Sequence, residues 1–221
     1  MHFYPKLAAL AFLTAGALAS FGAQAQTIDI KVTGTITPGA CTPTLAGDGT
    51  FDYGQIDRSV VQQADFALLP EKQLAFTISC DVPSRVGLKV VDNRKSTIVP
   101  SALGKIGSPW VDRYAFGLGA ADEKNIGAYN IRIPNQTFTA DSVRARSIES
   151  SNNGTSWTVT GGALSTPAIM SWANATTVAP VAFERLSGNL VIQAVLNKGS
   201  ELNVTDDVEL DGSATLELVY L

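Results

Sequence analysis

The end of the sequence constrains the fold most strongly, because residues 210–221 alternate apolar and polar side chains up to the last position. Leu216, Leu218 and Tyr220 share one parity, and Thr215 and Glu217 share the other. A period of two is the pattern of a β-strand with one face on a core. An apolar edge strand with no partner invites association with another strand. Since no hairpin partner follows Leu221, we expect another segment to cover this edge.

A second alternating segment lies near the beginning of the sequence, at residues 27–36. Its apolar parity consists of Ile28, Ile30, Val32, Gly34 and Ile36. We predict that the two segments complete each other between neighbouring molecules. The alternative is an ordinary first strand in which Gly34 is a bulge or turn glycine.

Residues 1–25 have the composition of a secretory signal peptide. Lys6 precedes an apolar run from Leu7 to about Leu18, and Ala23 and Ala25 provide the small residues of a cleavage site. A membrane anchor is the alternative, but the run is shorter than the roughly 20 residues that span a bilayer. The sequence therefore predicts export, with cleavage after Ala25 and one domain in the remainder.

The composition argues against several classes of function. His2 is the single histidine and lies in the predicted leader. The exported chain would then lack the most frequent general base and metal ligand. The formal charge is −4 and there is no basic run, which argues against nucleic acid or an anionic membrane as partner. We expect no enzymatic activity, no catalytic residue, no cofactor and no metal.

The two cysteines, Cys41 and Cys80, are the only ones in the sequence. In an exported protein an even pair predicts one disulfide, and two buried free thiols are the alternative.

Short strand patterns separated by turn residues recur along the rest of the chain. No segment combines a helical apolar period with capping residues at its ends. The sequence predicts an all-β sandwich. The apolar spacing of Val60–Leu69 is compatible with a helix that Pro70 would end, and the stretch stays ambiguous. Pro83 and Ser84 break the strand that contains Cys80, and Asp92 and Asn93 end the strand that follows it. A hairpin is predicted from Val181–Leu186 and Leu190–Leu196, with its turn at residues 187–189. The other predicted strands are Thr50–Ile56, Leu74–Cys80, Val86–Val90, Tyr114–Leu118, Ala128–Ile133, Ser156–Thr160, Ala168–Trp172, Glu201–Val204 and the terminal strand.

Several of these residues together resemble one family. The pieces are the alternating N-terminal segment with Gly34, the two cysteines, Phe51-Asp-Tyr-Gly-Gln-Ile56, and the C-terminal strand with Tyr220 as its penultimate residue. Their order is similar to that of pilin-type (fimbrial) subunits of the bacterial chaperone–usher pathway. Asp92-Asn-Arg94, Phe116-Gly-Leu-Gly119 and Asn125-Ile-Gly-Ala-Tyr129 resemble a branch described only as fimbrial-like proteins with a domain of unknown function.

The resemblance implies an incomplete immunoglobulin-like β-sandwich that is completed by donor-strand exchange. Residues 26–37 would then be the donor extension, and residues 38–221 the pilin-like domain. A periplasmic chaperone would first fill the groove, and an outer-membrane usher would replace its strand with the extension of the next subunit. Gly34 would meet a constricted part of that groove. The chain would be a structural subunit of a surface fimbrium that supports cell adhesion.

The resemblance also implies a role for the last residues. Chaperone side chains would pack against Leu216, Leu218 and Tyr220. Basic chaperone residues would bind the carboxylate of Leu221. An ordinary core strand is the alternative for the same residues.

The chain departs from the family pattern in size, because its middle segment is longer. This leaves a minor or tip adhesin that binds a carbohydrate or host receptor as the alternative function. Trp110, Trp157 and Trp172, near Asn153 and Asn174, form either a sugar platform or part of a core. The acidic residues at 206–211 bind calcium or form a solvated turn.

Overall fold

The structure is a computed structural model that describes residues 28–35, 39–61, 63–202 and 207–221. The predicted signal peptide and Ile36 lie outside these residues. Contacts divide the chain into two units, residues 1–37 and residues 38–221. No helix in the described part is long and apolar enough to cross a membrane.

In the first unit, residues 28–35 form no regular secondary structure and are exposed throughout. Ile28, Ile30 and Val32 are 88%, 87% and 94% exposed. These aliphatic side chains therefore form an exposed apolar row.

The second unit consists of strands and short 3-10 turns. The strands are β1 (Cys41–Leu45), β2 (Ala67–Leu68), β3 (Lys72–Ser84), β4 (Val86–Asp92), β5 (Phe116–Gly117), β6 (Ala120–Ala121), β7 (Lys124–Asn125), β8 (Gly127–Arg132), β9 (Phe138–Ala140), β10 (Val143–Ser150), β11 (Thr158–Val159), β12 (Ile169–Ala173), β13 (Phe183–Leu196) and β14 (Ala214–Tyr220). The 3-10 turns are Gly47–Gly49, Arg58–Val60, Lys95–Thr97, Ala102–Ile106 and Asp112–Tyr114.

Twelve of the strands form one antiparallel sheet that curls into a nearly closed, barrel-like sandwich. Its main path runs β1-β3-β13-β9-β10-β12-β4-β14. Strand β10 joins the two layers, since its first residues pair with β9 and its later residues pair with β12. The predicted all-β sandwich is confirmed. The path has two ends, β1 and β14, and these border the site described below.

The main core lies between the two layers and contains a chain of aromatic side chains. Trp172 lies 5.8 Å from Phe138 and 6.1 Å from Phe183 between ring centroids, and Phe138 lies 6.3 Å from Phe76. Tilted and edge-on contacts of this kind stabilise the core beyond what burial of the rings alone contributes. The predicted disulfide between Cys41 and Cys80 is also confirmed, and it joins β1 to β3.

A smaller second core lies on the opposite face of β8 and β13. Residues 98–115 run across this face and bury Ala102 and Leu103 against Ala128 and Val195. Part of the long middle segment therefore forms a cover for one face of the sheet.

The predicted hairpin at residues 181–196 is wrong, because Phe183–Leu196 is a single strand of 14 residues. Gly188 and Asn189, which indicated the turn, lie within it. A Cβ atom at position 188 would lie 2.5 Å from the ring of Phe138. The glycine therefore allows β13 to approach an aromatic ring, and it does not serve a turn.

Other predicted strands differ in extent. Residues 50–57 form no strand, and Glu201 and Leu202 lie in a turn, while Asn203 and Val204 fall outside the described residues. Strand β3 runs through Pro83 and ends at Ser84, before the single linking residue Arg85. The ambiguous stretch 60–69 contains the end of one 3-10 turn and the short strand β2. Strands β5, β8, β11 and β12 overlap the predicted middle strands, and β10 was not predicted.

Candidate functional site: an open apolar groove

The two ends of the sheet path face each other across a groove. Among the described residues, β1 pairs only with β3, and β14 pairs only with β4. The groove has a volume of about 1440 Å³. One side is lined from residues 43–58 and the other from residues 207–216. None of the described strands lies between these two sides.

The floor of the groove consists of side chains of the main core. It is lined by Phe76, Leu118, Ile126, Tyr129, Ile131, Leu190, Ile192 and Leu196. On the sides, Phe51, Tyr53, Ile56 and Leu216 are only partly buried although they pack against that core. An extended segment with one apolar face would bury this surface.

The side formed by residues 50–57 is held by Tyr53. The Tyr53 hydroxyl accepts a hydrogen bond of 3.2 Å from the backbone N–H of Ala194, beyond the point where β3 stops pairing with β13. Lys72 lies over the Tyr53 ring, with its ammonium nitrogen 5.5 Å from the ring centroid. Burial raises the pKa of Tyr53, so the hydroxyl stays neutral near physiological pH. The motif Phe51-Asp-Tyr-Gly-Gln-Ile56 thus forms one side of the groove and is not a strand.

The side formed by residues 207–213 is held by the turn that follows β4. Arg94 donates two hydrogen bonds to Asp211, of 2.8 and 3.0 Å. The side chain of Asn93 donates to Ser213 and Thr215, at 3.0 and 3.1 Å. Hydrogen bonding and the charge of Arg94 hold the pKa of Asp211 below its usual range. The motif Asp92-Asn-Arg94 therefore fixes the segment that leads into β14.

Glycines allow the remaining motifs to pack closely at this end of the groove. The N–H of Gly117 donates to the Asp92 carboxylate at 3.0 Å, and a side chain at 117 would clash with the carbonyl of Arg94. Gly119 has φ of +89°, and its Cβ would lie 2.9 Å from Asp211. A Cβ at Gly212 would lie 3.0 Å from the ring of Tyr129. The three motifs therefore meet residues 211–212, which are distant from them in sequence, in one cluster beside the groove.

The groove ends where β14 approaches the start of β1. The Tyr220 hydroxyl accepts a hydrogen bond of 2.8 Å from the N–H of Cys41. The same residue is disulfide-bonded to Cys80, so this end is anchored to β3. Away from this bond the two sides diverge and no strand fills the space between them in the described structure.

The rim of the groove is acidic. It is lined by the guanidinium of Arg58 and by five carboxylates, which are those of Asp48, Asp52, Asp57, Asp207 and Glu209. Asp52 and Asp57 accept backbone hydrogen bonds of 2.7 Å from Gly54 and Ser59, so they also shape their own turns. The apolar floor and polar rim suit the binding of an amphipathic strand.

The predicted C-terminal residues divide between two places. Leu216 lines the groove and Leu218 packs against the main core. Tyr220 and Leu221 line a second cavity, and Tyr220 is half exposed. The sequence did not identify Leu118, Tyr129 or Ile192 as groove residues, because only long-range pairing brings them together.

The structure bears on the tryptophan platform and on the acidic residues at 206–211. Trp172 is fully buried in the main core, so a platform that includes all three tryptophans is wrong. Asp211 pairs with Arg94, and no group of three metal-binding side chains exists among the described residues, which exclude Asp206.

Comparison with known proteins places the chain among its relatives. The family model described as "Protein of unknown function (DUF1120)" matches residues 30–130. The Escherichia coli (strain K12) protein GltF is 30% identical over 258 aligned positions, covering all of both chains. The uncharacterized protein YhcF of the same organism is 23% identical over 231 positions, covering 93% of this chain and 94% of its own. This chain therefore belongs to the family that includes GltF.

Proposed function

We propose that the protein is a structural, non-enzymatic subunit of a surface fimbrium that supports cell adhesion, and that neighbouring subunits join by strand donation. The observation that carries the proposal is the apolar groove between β1 and β14, in a chain that also bears an exposed apolar arm. The arm is residues 26–37, of which the structure describes 28–35.

The arm of a neighbouring molecule fits the groove in length and pattern. The alternating segment 28–36 is nine residues long, and the free side of the groove formed by residues 207–216 is ten. Ile28, Ile30, Val32 and Ile36 would face the floor. Burying four aliphatic side chains contributes roughly 6–12 kcal/mol before the entropy of ordering the arm is subtracted.

The remaining steps of assembly follow from the same groove. Export by the signal peptide delivers the subunit to the periplasm, where an open apolar groove risks aggregation. A periplasmic chaperone covers the groove by contacting β14 through Leu216, Leu218 and Tyr220 and the carboxylate of Leu221. An outer-membrane usher then exchanges the chaperone strand for the arm of the next subunit, and the fibre reaches the cell surface.

A pair of arm variants tests the proposal in the native host. Gly34→Arg places a long charged side chain on the face that enters the groove, whereas Thr33→Arg places it on the opposite face. We expect Gly34→Arg to abolish incorporation into fibres while Thr33→Arg polymers form, as measured by sedimentation of surface polymers and electron microscopy. Normal polymers from Gly34→Arg would contradict the proposal, as would equal loss from both variants.

Deletion of residues 26–37 behind the signal peptide separates a donor arm from an intrinsic first strand. A donor arm is dispensable for the fold of its own subunit, so the domain should still export and form its disulfide. A deleted chain that is degraded and never accumulates in the periplasm argues for an intrinsic strand.

A further inference from the structure

A second cavity lies beside the outer face of β4 and β14, away from the groove. Leu216 and Leu218 pack against the main core, while Val219 lies on the opposite parity and lines the second cavity. Its volume is about 550 Å³, within the range of small-molecule sites. Its lining includes Arg85, Lys89, Asn153 and Trp157.

A hydrogen-bonded loop presents Trp157 to the cavity. Ser150 Oγ accepts from the N–H of Gly154 at 2.8 Å, and Asn152 Oδ1 accepts from the N–H of Ser156 at 2.9 Å. Asn152 also donates its side-chain amide to Ser156 Oγ at 2.8 Å. These bonds fix the loop before any ligand arrives, which lowers the entropic cost of binding.

Two cations line the cavity beside Leu221, and neither of them forms an ion pair within the described part of the chain. No carboxylate among the described residues lies within 4.0 Å of the charged nitrogens of Arg85 or Lys89. Glu217 is opposite Lys89 in the strand register but forms no ion pair with it. Arg85 donates from Nε to the carbonyl of Pro180 at 3.1 Å, which orients its guanidinium and leaves its terminal nitrogens available.

We propose that this cavity binds a saccharide that carries a carboxylate. The apolar face of the pyranose ring stacks on Trp157, since an indole offers a flat apolar surface. Arg85 and Lys89 hold the sugar carboxylate through charge-assisted hydrogen bonds, and the Asn153 amide binds hydroxyl groups. The groove and this cavity have no lining residue in common, although Tyr220 lines the cavity and its hydroxyl also closes the end of the groove.

The test measures binding of D-glucuronic acid, N-acetylneuraminic acid and neutral D-glucose to the full exported chain by saturation-transfer NMR and calorimetry. We expect saturable binding of at least one acidic sugar and no saturable binding of glucose. Lys89→Gln and Trp157→Ala should each weaken that binding about tenfold, the effect of losing one charge-assisted or stacking contact. Trp157→Phe should retain more affinity than Trp157→Ala.

Matched controls separate the site from general effects. Lys124→Gln removes an exposed cation elsewhere, and Trp110→Phe changes a tryptophan in the second core, so neither should alter binding. Lys89→Gln removes a surface charge only and keeps the test independent of folding. Gly34→Arg should bind the sugar normally, which distinguishes this inference from strand donation.

Three results would each overturn the inference. They are equal binding of glucose and the acidic sugars, undiminished binding in both Lys89→Gln and Trp157→Ala, and absence of saturable binding to any of the sugars. Binding of a polyglutamate peptide in place of the acidic sugars would also overturn it, because the site would then recognise charge without a ring.

Discussion

The two faces of the β8–β13 pair are covered in different ways. On one face, residues 98–115 of the same chain bury Ala128 and Val195 beneath Ala102 and Leu103. On the other face, Tyr129, Ile131 and Ile192 form the floor of a groove that opens between β1 and β14. The strands supply apolar side chains to both faces, but the described chain covers only one of them. The open face is the one at which the proposed strand from a neighbouring molecule would bind.

Part of the long middle segment forms the cover on the sealed face. The family resemblance pointed to shorter subunits, and residues 95–114 contain three of the 3-10 turns that form the cover. This part of the middle segment covers the outer face of β8 and β13 and lines no part of the groove.

The largest expected effect on stability lies in the sealed face. Leu103→Ala removes a fully buried side chain from the second core and should cost about 2–5 kcal/mol of unfolding free energy. Urea denaturation measures the change. Val111→Ala, at a position 52% exposed, should change stability by less than about 0.5 kcal/mol. Similar values for the two variants would mean that residues 98–115 do not form a true core.

A smaller effect is expected where β13 passes the aromatic chain that supports the groove. Gly188→Ala places a Cβ 2.5 Å from the ring of Phe138 and should cost about 1–3 kcal/mol through overpacking. Gly104→Ala is the control, since a Cβ there has no neighbour within 4 Å. If thermal melting shows the two variants to be equal, the close approach in β13 is not what requires the glycine.

The closed end of the groove depends on one hydrogen bond outside the sheet ladder. Tyr220→Phe removes the hydroxyl that accepts from Cys41 and should cost about 0.5–1.5 kcal/mol. Hydrogen exchange at the Cys41 amide should become faster, while amides in the second core, such as that of Leu103, keep their rates. An unchanged rate at Cys41 would show that β14 does not hold this end.

The smallest effect concerns the ion pair that fixes the segment before β14. Because the pKa of Asp211 is lowered in the folded protein, its contribution is complete above the ordinary carboxyl pKa. This contribution to stability is lost as the pH falls from the ordinary carboxyl pKa through the lowered pKa of Asp211. The melting temperature of Asp211→Asn should therefore fall less than that of the parent between about pH 6 and about pH 3. A parental slope in Asp211→Asn would contradict the assignment.

Local patterns predicted several of the strands but not the residues that form the groove floor. The period of two at residues 214–220 and 74–80 predicted β14 and much of β3, because one face of each strand packs on the core. Strand β10 was missed because only Ala145 and Ile148 of its residues 143–150 are buried apolar side chains. The turn pattern at Gly188 failed because a tertiary contact with Phe138, invisible in the sequence, requires the glycine.

The site itself depends on long-range pairing. Leu216 was identified from its own strand, whereas Tyr129 and Ile192 become groove residues only because β8 and β13 pair beneath β14. The motifs beginning at Asp92, Phe116 and Asn125 had no assigned role until the structure brought them together around Asp211 and Gly212.

The most direct test of the central claim is addition of a synthetic arm peptide, residues 26–37, to the purified exported chain. Strand donation predicts a higher melting temperature and slower hydrogen exchange in β14 and at Ile192, with unchanged exchange at Leu103. A peptide with Gly34→Arg should have no such effect. A monomer that melts cooperatively and shows no change in melting temperature or exchange with the native peptide would contradict the claim.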